Sequence, residues 1–127
     1  MSVIDNINTQ NAPAAIGPYS QAVIAGNTLY LSGQIGLSQQ TDKLVEGGIA
    51  AETKQALENI KAILMAAGSS LASVVKTEVY LADINDYAKM NEVYSGYFTM
   101  PYPARAAVAV KALPKNACVE IAVIAVK

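Results

Sequence analysis

The 127-residue chain has no histidine, one cysteine and one arginine. Without histidine there is no Ser-His-Asp triad, no His-ligated metal and no imidazole general base. A single cysteine excludes an intrachain disulfide and argues against a thiolate zinc site within one chain. Charge is also scarce, at 15% of residues against 53% hydrophobic, where an ordinary globular chain carries about 25% charge. Either the core is unusually dominant or part of the surface is buried against other subunits. Nine basic and ten acidic residues give a net charge of −1, which argues against a nucleic-acid footprint. No apolar run approaches the ~18 residues of a membrane helix; residues 121–126 are among the longest. Residues 1–15 lack a basic start followed by an apolar stretch, so the reading is a soluble, cytoplasmic protein with no secretory signal.

The residues that are present form one continuous pattern, without composition shift, linker or repeat, and residues 1–127 are expected to be a single domain. Residues 3–7 read as a short first strand. Gly17-Pro18 precedes a strand over 19–24, and Gly26-Asn27 is a turn signal between it and a strand over 28–35. Residues Ile49, Thr53, Ala56, Leu57, Ile60, Ile63, Leu64 and Ala67 then follow helical spacing, with Glu52, Lys54, Glu58 and Lys61 largely outside the stripe and Gly68 as a stop. Residues 74–81 alternate, with Val75, Thr77, Val79 and Leu81 on one face. Asn85 or Asp86 caps a second predicted helix running to about Thr99, which Pro101 and Pro103 prevent from continuing. Strands over 104–112 and 118–126 complete the chain. The order predicts an α+β fold, a mixed sheet with both helices on one face. Its other face needs a cover, which oligomerisation would supply.

Two charges stand out against apolar neighbours. Arg105 lies in Ala104-Arg105-Ala106-Ala107-Val108. A guanidinium cannot be neutralised, so it either grips an anionic ligand as a bidentate fork, forms a structural ion pair or reaches water at a strand end. Glu120 is the sole charge in residues 118–126. Unpaired and buried, its carboxyl would have a raised pKa suited to proton transfer; otherwise it pairs with Arg105 or faces solvent. A hairpin centred near Lys115 would set Glu120 opposite residue 110, leaving Arg105 roughly 16 Å away at ~3.3 Å per residue. A site using both groups then needs an irregular connection or a second subunit. Asn91 falls among Tyr87, Tyr94 and Phe98 on one helical stripe and could hydrogen-bond a ligand or a neighbouring backbone. Ser32-Gly33 ends a strand, where a hydroxyl and a close backbone approach are useful or a bulge is formed. Cys118, with no histidine to activate it, reads as a packing residue.

Several blocks carry a resemblance over nearly the whole chain: Asn11-Ala12-Pro13-Ala14-Ala15-Ile16-Gly17-Pro18-Tyr19-Ser20-Gln21-Ala22, Ser32-Gly33-Gln34-Ile35, Val75-Lys76-Thr77, Asp83-Ile84-Asn85-Asp86, Pro103-Ala104-Arg105, Leu113-Pro114-Lys115 and Val119-Glu120-Ile121. In these the chain resembles the RidA (YjgF) family of reactive-intermediate imine deaminases. The resemblance implies a chorismate-mutase-like fold and a homotrimer with sites between subunits. It also implies cofactor-free, metal-free hydrolysis of 2-imino acids and enamines, such as 2-aminoacrylate, to 2-oxo acids and ammonia. By motif position, Arg105 would hold the substrate carboxylate and Glu120 would orient or activate water. Tyr19, Ser32, Gly33, Tyr87 and Asn91 would line the pocket. Tyr87 stands where many members carry phenylalanine. Ala107 replaces a cysteine of many relatives, leaving only its backbone amide for a carboxylate. Members are also linked to RNA cleavage, translation inhibition and regulation through protein contacts. Eight scattered lysines do not favour an RNA role, whereas a metabolite-binding regulatory module remains the alternative to an enzyme.

Overall fold

The computed structural model describes residues 4–127. Six strands form one sheet: β1 (Ile4–Ile7), β2 (Ala22–Ala25), β3 (Thr28–Ile35), β4 (Val74–Leu81), β5 (Ala104–Ala109) and β6 (Val119–Val126), in the spatial order β1-β2-β3-β6-β4-β5. Every neighbouring pair is antiparallel except β4 and β5. Two helices, α1 (Gly48–Ala66) and α2 (Tyr87–Tyr94), complete the regular structure. No helix among the described residues is long and apolar enough to cross a membrane.

Periodicity explains which face each element buries. Val119, Ile121, Val123 and Ala125 of β6 point into the core, while Glu120, Ala122 and Ile124 alternate onto the opposite face. The stripe of α1, including Ala56, Leu57, Ile60, Ile63 and Leu64, is fully buried in the same core. Each such Leu or Ile contributes roughly 1.5–3 kcal/mol by leaving water. Met90, Tyr94 and Phe98 join that cluster from α2 and the residues after it. Both helices therefore cover one face, the mixed α+β arrangement predicted from the sequence. The other face exposes Tyr30 and Val108 to about half their surface.

Several local expectations change. β2 starts at Ala22 rather than residue 19, because the preceding residues bond outside a strand ladder: Tyr19 N–H turns back to the Gly17 carbonyl, and the Ser20 carbonyl accepts the Ser32 hydroxyl. Val74, not Val75, turns into the core: a bulge between Val74 and Lys76 resets the alternation and leaves Val75 exposed. Glu52, expected outside the helical stripe, is buried and accepts the Cys118 backbone N–H at 2.8 Å. α2 stops at Tyr94 instead of Thr99, since the N–H groups of Gly96 and Tyr97 move to the carbonyls three residues back and close a tightened turn. At its start Asp86 occupies the cap position without a side-chain bond, while Asp83 accepts from Asn85 N–H one turn earlier. β5 ends at Ala109, three residues short of expectation. Of the predicted first strand, Val3 lies outside the described residues.

The largest correction concerns β5 and β6, which do not form a hairpin. β4 lies between them, parallel to β5 and antiparallel to β6. A parallel neighbour needs a long crossover, and α2 with its flanking turns supplies it.

Candidate active site

Strand β4 is the ruler for the two unusual charges. Thr77 is opposite Arg105 on one side, and Tyr80 is opposite Glu120 on the other. Side chains alternate along a strand, so positions 77 and 80 face opposite ways. Thr77 is fully buried on the helix-covered face. Arg105 therefore rises toward α2, and Glu120 points to the open face.

Glu120 forms one wall of a cavity of about 420 Å³, together with Tyr19, Ile16, Gly33, Gln34 and Lys115. The carboxylate is half-buried and lies directly over Gly33. Burial pushes its pKa above the ordinary carboxylate value. The Tyr80 phenol on the same face is also raised, first by burial and then by the Glu78 and Glu120 carboxylates. The outer wall, residues 13–16, is tied down by Gln21, which is 2% exposed. Its amide oxygen accepts Thr9 N–H at 2.7 Å, and its nitrogen donates to the Thr9 and Pro13 carbonyls at 3.1 and 2.8 Å. Ser32 sits at the β3 bulge, where its hydroxyl donates to the Ser20 carbonyl and so fixes the backbone beside Tyr19.

Arg105 stands in a second cavity of about 310 Å³, lined also by Asn91, Tyr94, Ser95, Tyr102 and Pro103. Its two terminal nitrogens donate to Asn91 Oδ1 and to the Tyr87 hydroxyl, both at 2.7 Å. Asn91 and Tyr87 are one helical turn apart on α2, which lets them flank a single guanidinium. The guanidinium carbon also lies 4.7 Å from the Tyr94 ring centroid and 5.6 Å from that of Tyr87. Both hydrogen-bond partners are neutral, and no carboxylate pairs with Arg105 among the described residues. Three of its five N–H groups remain for an anion. Ala107 follows on the same face of β5, half-buried beside Val79.

Among the described residues, no cluster of three or more His, Cys, Asp or Glu side chains is placed to hold a metal. Burial and the Glu52 carboxylate push the Cys118 thiol up to about 11, so it stays protonated near neutrality. Sequence reasoning missed Tyr94, Tyr102, Ile16, Gln21 and Lys115. Of these, Tyr94 could have been found, since it shares the helical stripe of Tyr87 and Asn91.

The match to known proteins covers most of the chain: the family model described as Endoribonuclease L-PSP fits residues 9–127. The chain belongs to the endoribonuclease L-PSP family. Within it, the RidA (YjgF) resemblance holds at the level of individual relatives. Human 2-iminobutanoate/2-iminopropanoate deaminase is 54% identical over 121 residues, 95% of this chain and 88% of the human one. A RutC family protein of Pyrococcus horikoshii is 57% identical over 95% of this chain and 96% of its own. The crystal structure of RidA from an Antarctic Psychrobacter superposes with a TM-score of 0.93 at 53% identity, covering 97% of this chain and 99% of that one. The L-PSP family fold is thus the fold of this chain.

Proposed function

We propose that the chain is a hydrolytic deaminase of 2-imino acids and their enamine tautomers, acting as a homotrimer with each site between two subunits. The carrying observation is the separation of Arg105 and Glu120 on opposite faces of one sheet. Each lines its own half-walled cavity, so a site using both needs a second copy. The 2-iminobutanoate/2-iminopropanoate deaminase relatives support the reaction class.

In this reading one subunit contributes Arg105, steadied by Asn91 and Tyr87, and its free N–H groups grip the substrate carboxylate. The neighbouring subunit contributes Glu120, with Tyr19 and the Gly33 backbone beside it. The Ala107 amide lies along the Arg105 strand for the same carboxylate. Water adds to the imine carbon while its proton passes to the Glu120 carboxylate. Glu120 returns that proton to the nitrogen of the resulting carbinolamine. The carbinolamine hydroxyl then gives its proton, through Glu120, to the amino nitrogen as the C–N bond breaks, so that ammonia leaves and the 2-oxo acid remains. Net, imine and water become ketone and ammonia. A carboxyl with a raised pKa is suited to both transfers near neutral pH, and positioning supplies the rest.

The test is ammonia release from 2-iminobutanoate generated in place by an amino-acid oxidase, measured against spontaneous hydrolysis. The expected result is acceleration proportional to protein. Binding of 2-oxobutanoate with no acceleration would replace the enzyme with a metabolite-binding module.

A further inference from the structure

Tyr94 and Thr77 stand behind Arg105 and belong to no role described above. Their hydroxyls are 2.8 Å apart, Thr77 is 0% exposed and Tyr94 5%. Thr77 is also the residue of β4 directly opposite Arg105. The Tyr94 ring, with Phe98 packed against it at 4.6 Å between centroids, lies 4.7 Å from the guanidinium carbon. The guanidinium thus rests on an aromatic ring whose rotation is fixed at the far end by a hydrogen bond to the neighbouring strand.

We propose that the Thr77–Tyr94 pair is a positioning device for Arg105: the tethered ring sets the plane in which the guanidinium offers its free N–H groups to a carboxylate. The inference rests on the reading of Arg105 as the carboxylate grip. A planar fork recognises a carboxylate bidentately only within a narrow range of orientations. Asn91 and Tyr87 fix two of its edges, but two hydrogen bonds made at the rim leave the fork free to tip. A ring beneath it resists tipping and attracts the cation through its π-face. A buried tyrosine hydroxyl usually finds some partner; here the partner stands beside the strand position that carries the cation, so ring and guanidinium share one frame.

Four variants decide it: Tyr94→Leu, Tyr94→Phe, Thr77→Val and Arg105→Lys, the first three made in both the wild-type and Arg105→Lys backgrounds. The readouts are the Kd for 2-oxobutanoate and the kcat and KM for generated 2-iminobutanoate, with thermal unfolding as the folding check. In the wild-type background, Tyr94→Leu should raise Kd and KM about 10-fold with a smaller fall in kcat. Tyr94→Phe and Thr77→Val keep the packing volume and lose only the tether, and each should raise Kd about 3-fold. In the Arg105→Lys background all three should add little, because the element they position is gone. Equal losses in both backgrounds would make the pair merely structural and overturn the proposal, as would unchanged Kd values in the wild-type background. If Tyr94→Leu fails to fold, the two volume-conserving variants carry the same comparison. Should Arg105→Lys itself leave 2-oxobutanoate affinity intact, the carboxylate-grip reading falls and this inference falls with it. Should Arg105→Lys weaken binding while the other variants do not, only this inference falls.

Discussion

The Glu120 carboxylate occupies the space in which a side chain at Gly33 would begin. An ideal Cβ on Gly33 would lie 2.8 Å from Glu120 Cδ, closer than real Cβ atoms approach, and 3.0 Å from Cγ. Gly33 does not hold a left-handed φ, so its backbone accepts alanine. The Gly33→Ala variant is therefore expected to fold with a stability change within ~1 kcal/mol. Its cost falls on Glu120, a flexible side chain that must swing away. Imino-acid turnover should drop at least ~10-fold with the melting temperature nearly unchanged. Full activity would show that Glu120 need not lie over Gly33.

Glu120→Gln removes the proposed proton carrier and keeps the size. Turnover should fall ~10²-fold or more, the usual scale for a general base. The stability effect has the opposite sign. Because burial raises the folded-state pKa of Glu120, the folded protein binds its proton more tightly than the unfolded chain does. Stability then declines as pH rises from the unfolded pKa through the folded one, and is level above it. Replacing the acid by an amide removes that decline. At pH 7 Glu120→Gln should melt no lower than the parent, and the gap should close below pH 4. The activity of the parent should show an acid limb lying above the ordinary carboxylate range.

Arg105→Lys preserves the charge and discards the fork. Losing charge-assisted hydrogen bonds worth roughly 1.5–3 kcal/mol each should lower kcat/KM by ~10- to 100-fold. Thermal unfolding on the same preparation separates site from scaffold. A variant that loses melting temperature but keeps wild-type efficiency per folded protein would remove Arg105 from the chemistry.

Mixing the two impaired variants tests the proposed shared site directly. Light scattering should give about three times 13.3 kDa for the parent. Arg105→Lys and Glu120→Gln subunits, unfolded and refolded together in equal amounts, should recover about a quarter of parental activity, the share of interfaces that pair two intact residues. No recovery from well-folded mixed assemblies would place both groups in the site of one chain.

Much of this arrangement was legible because burial imposes a period. The alternation over Val119–Val126 and the stripe along Gly48–Ala66 reflect one-sided packing, and Arg105 and Glu120 stood out as charges that such packing should reject. The spatial order was not legible. Adjacent strands in sequence were expected to pair, whereas α2 allows β4 to enter between β5 and β6. Nor could the bulge after Val74 be read, since one unpaired residue leaves the composition of a strand unchanged and reverses its faces. Glu52 looked like a surface charge because its partner, the Cys118 N–H, is 66 residues away. The tether between Thr77 and Tyr94 is hidden for the same reason: neither residue is unusual until the sheet and the helix meet.

The wall formed by residues 13–16 has a different kind of support from everything around it. It belongs to no strand ladder and is held by two side chains, the Gln21 amide donating to the Pro13 carbonyl and the Tyr19 hydroxyl accepting the Ile16 N–H. Sheet and core therefore hold the charged groups, while the shape of the opening is set by a short panel hung from side chains at its two ends. Exchanges at Ala14 or Ile16 can resize the mouth without touching the registers that aim Arg105 and Glu120. The panel and the two charges are mechanically separate in this fold, and substitution can reshape one while the other stays fixed.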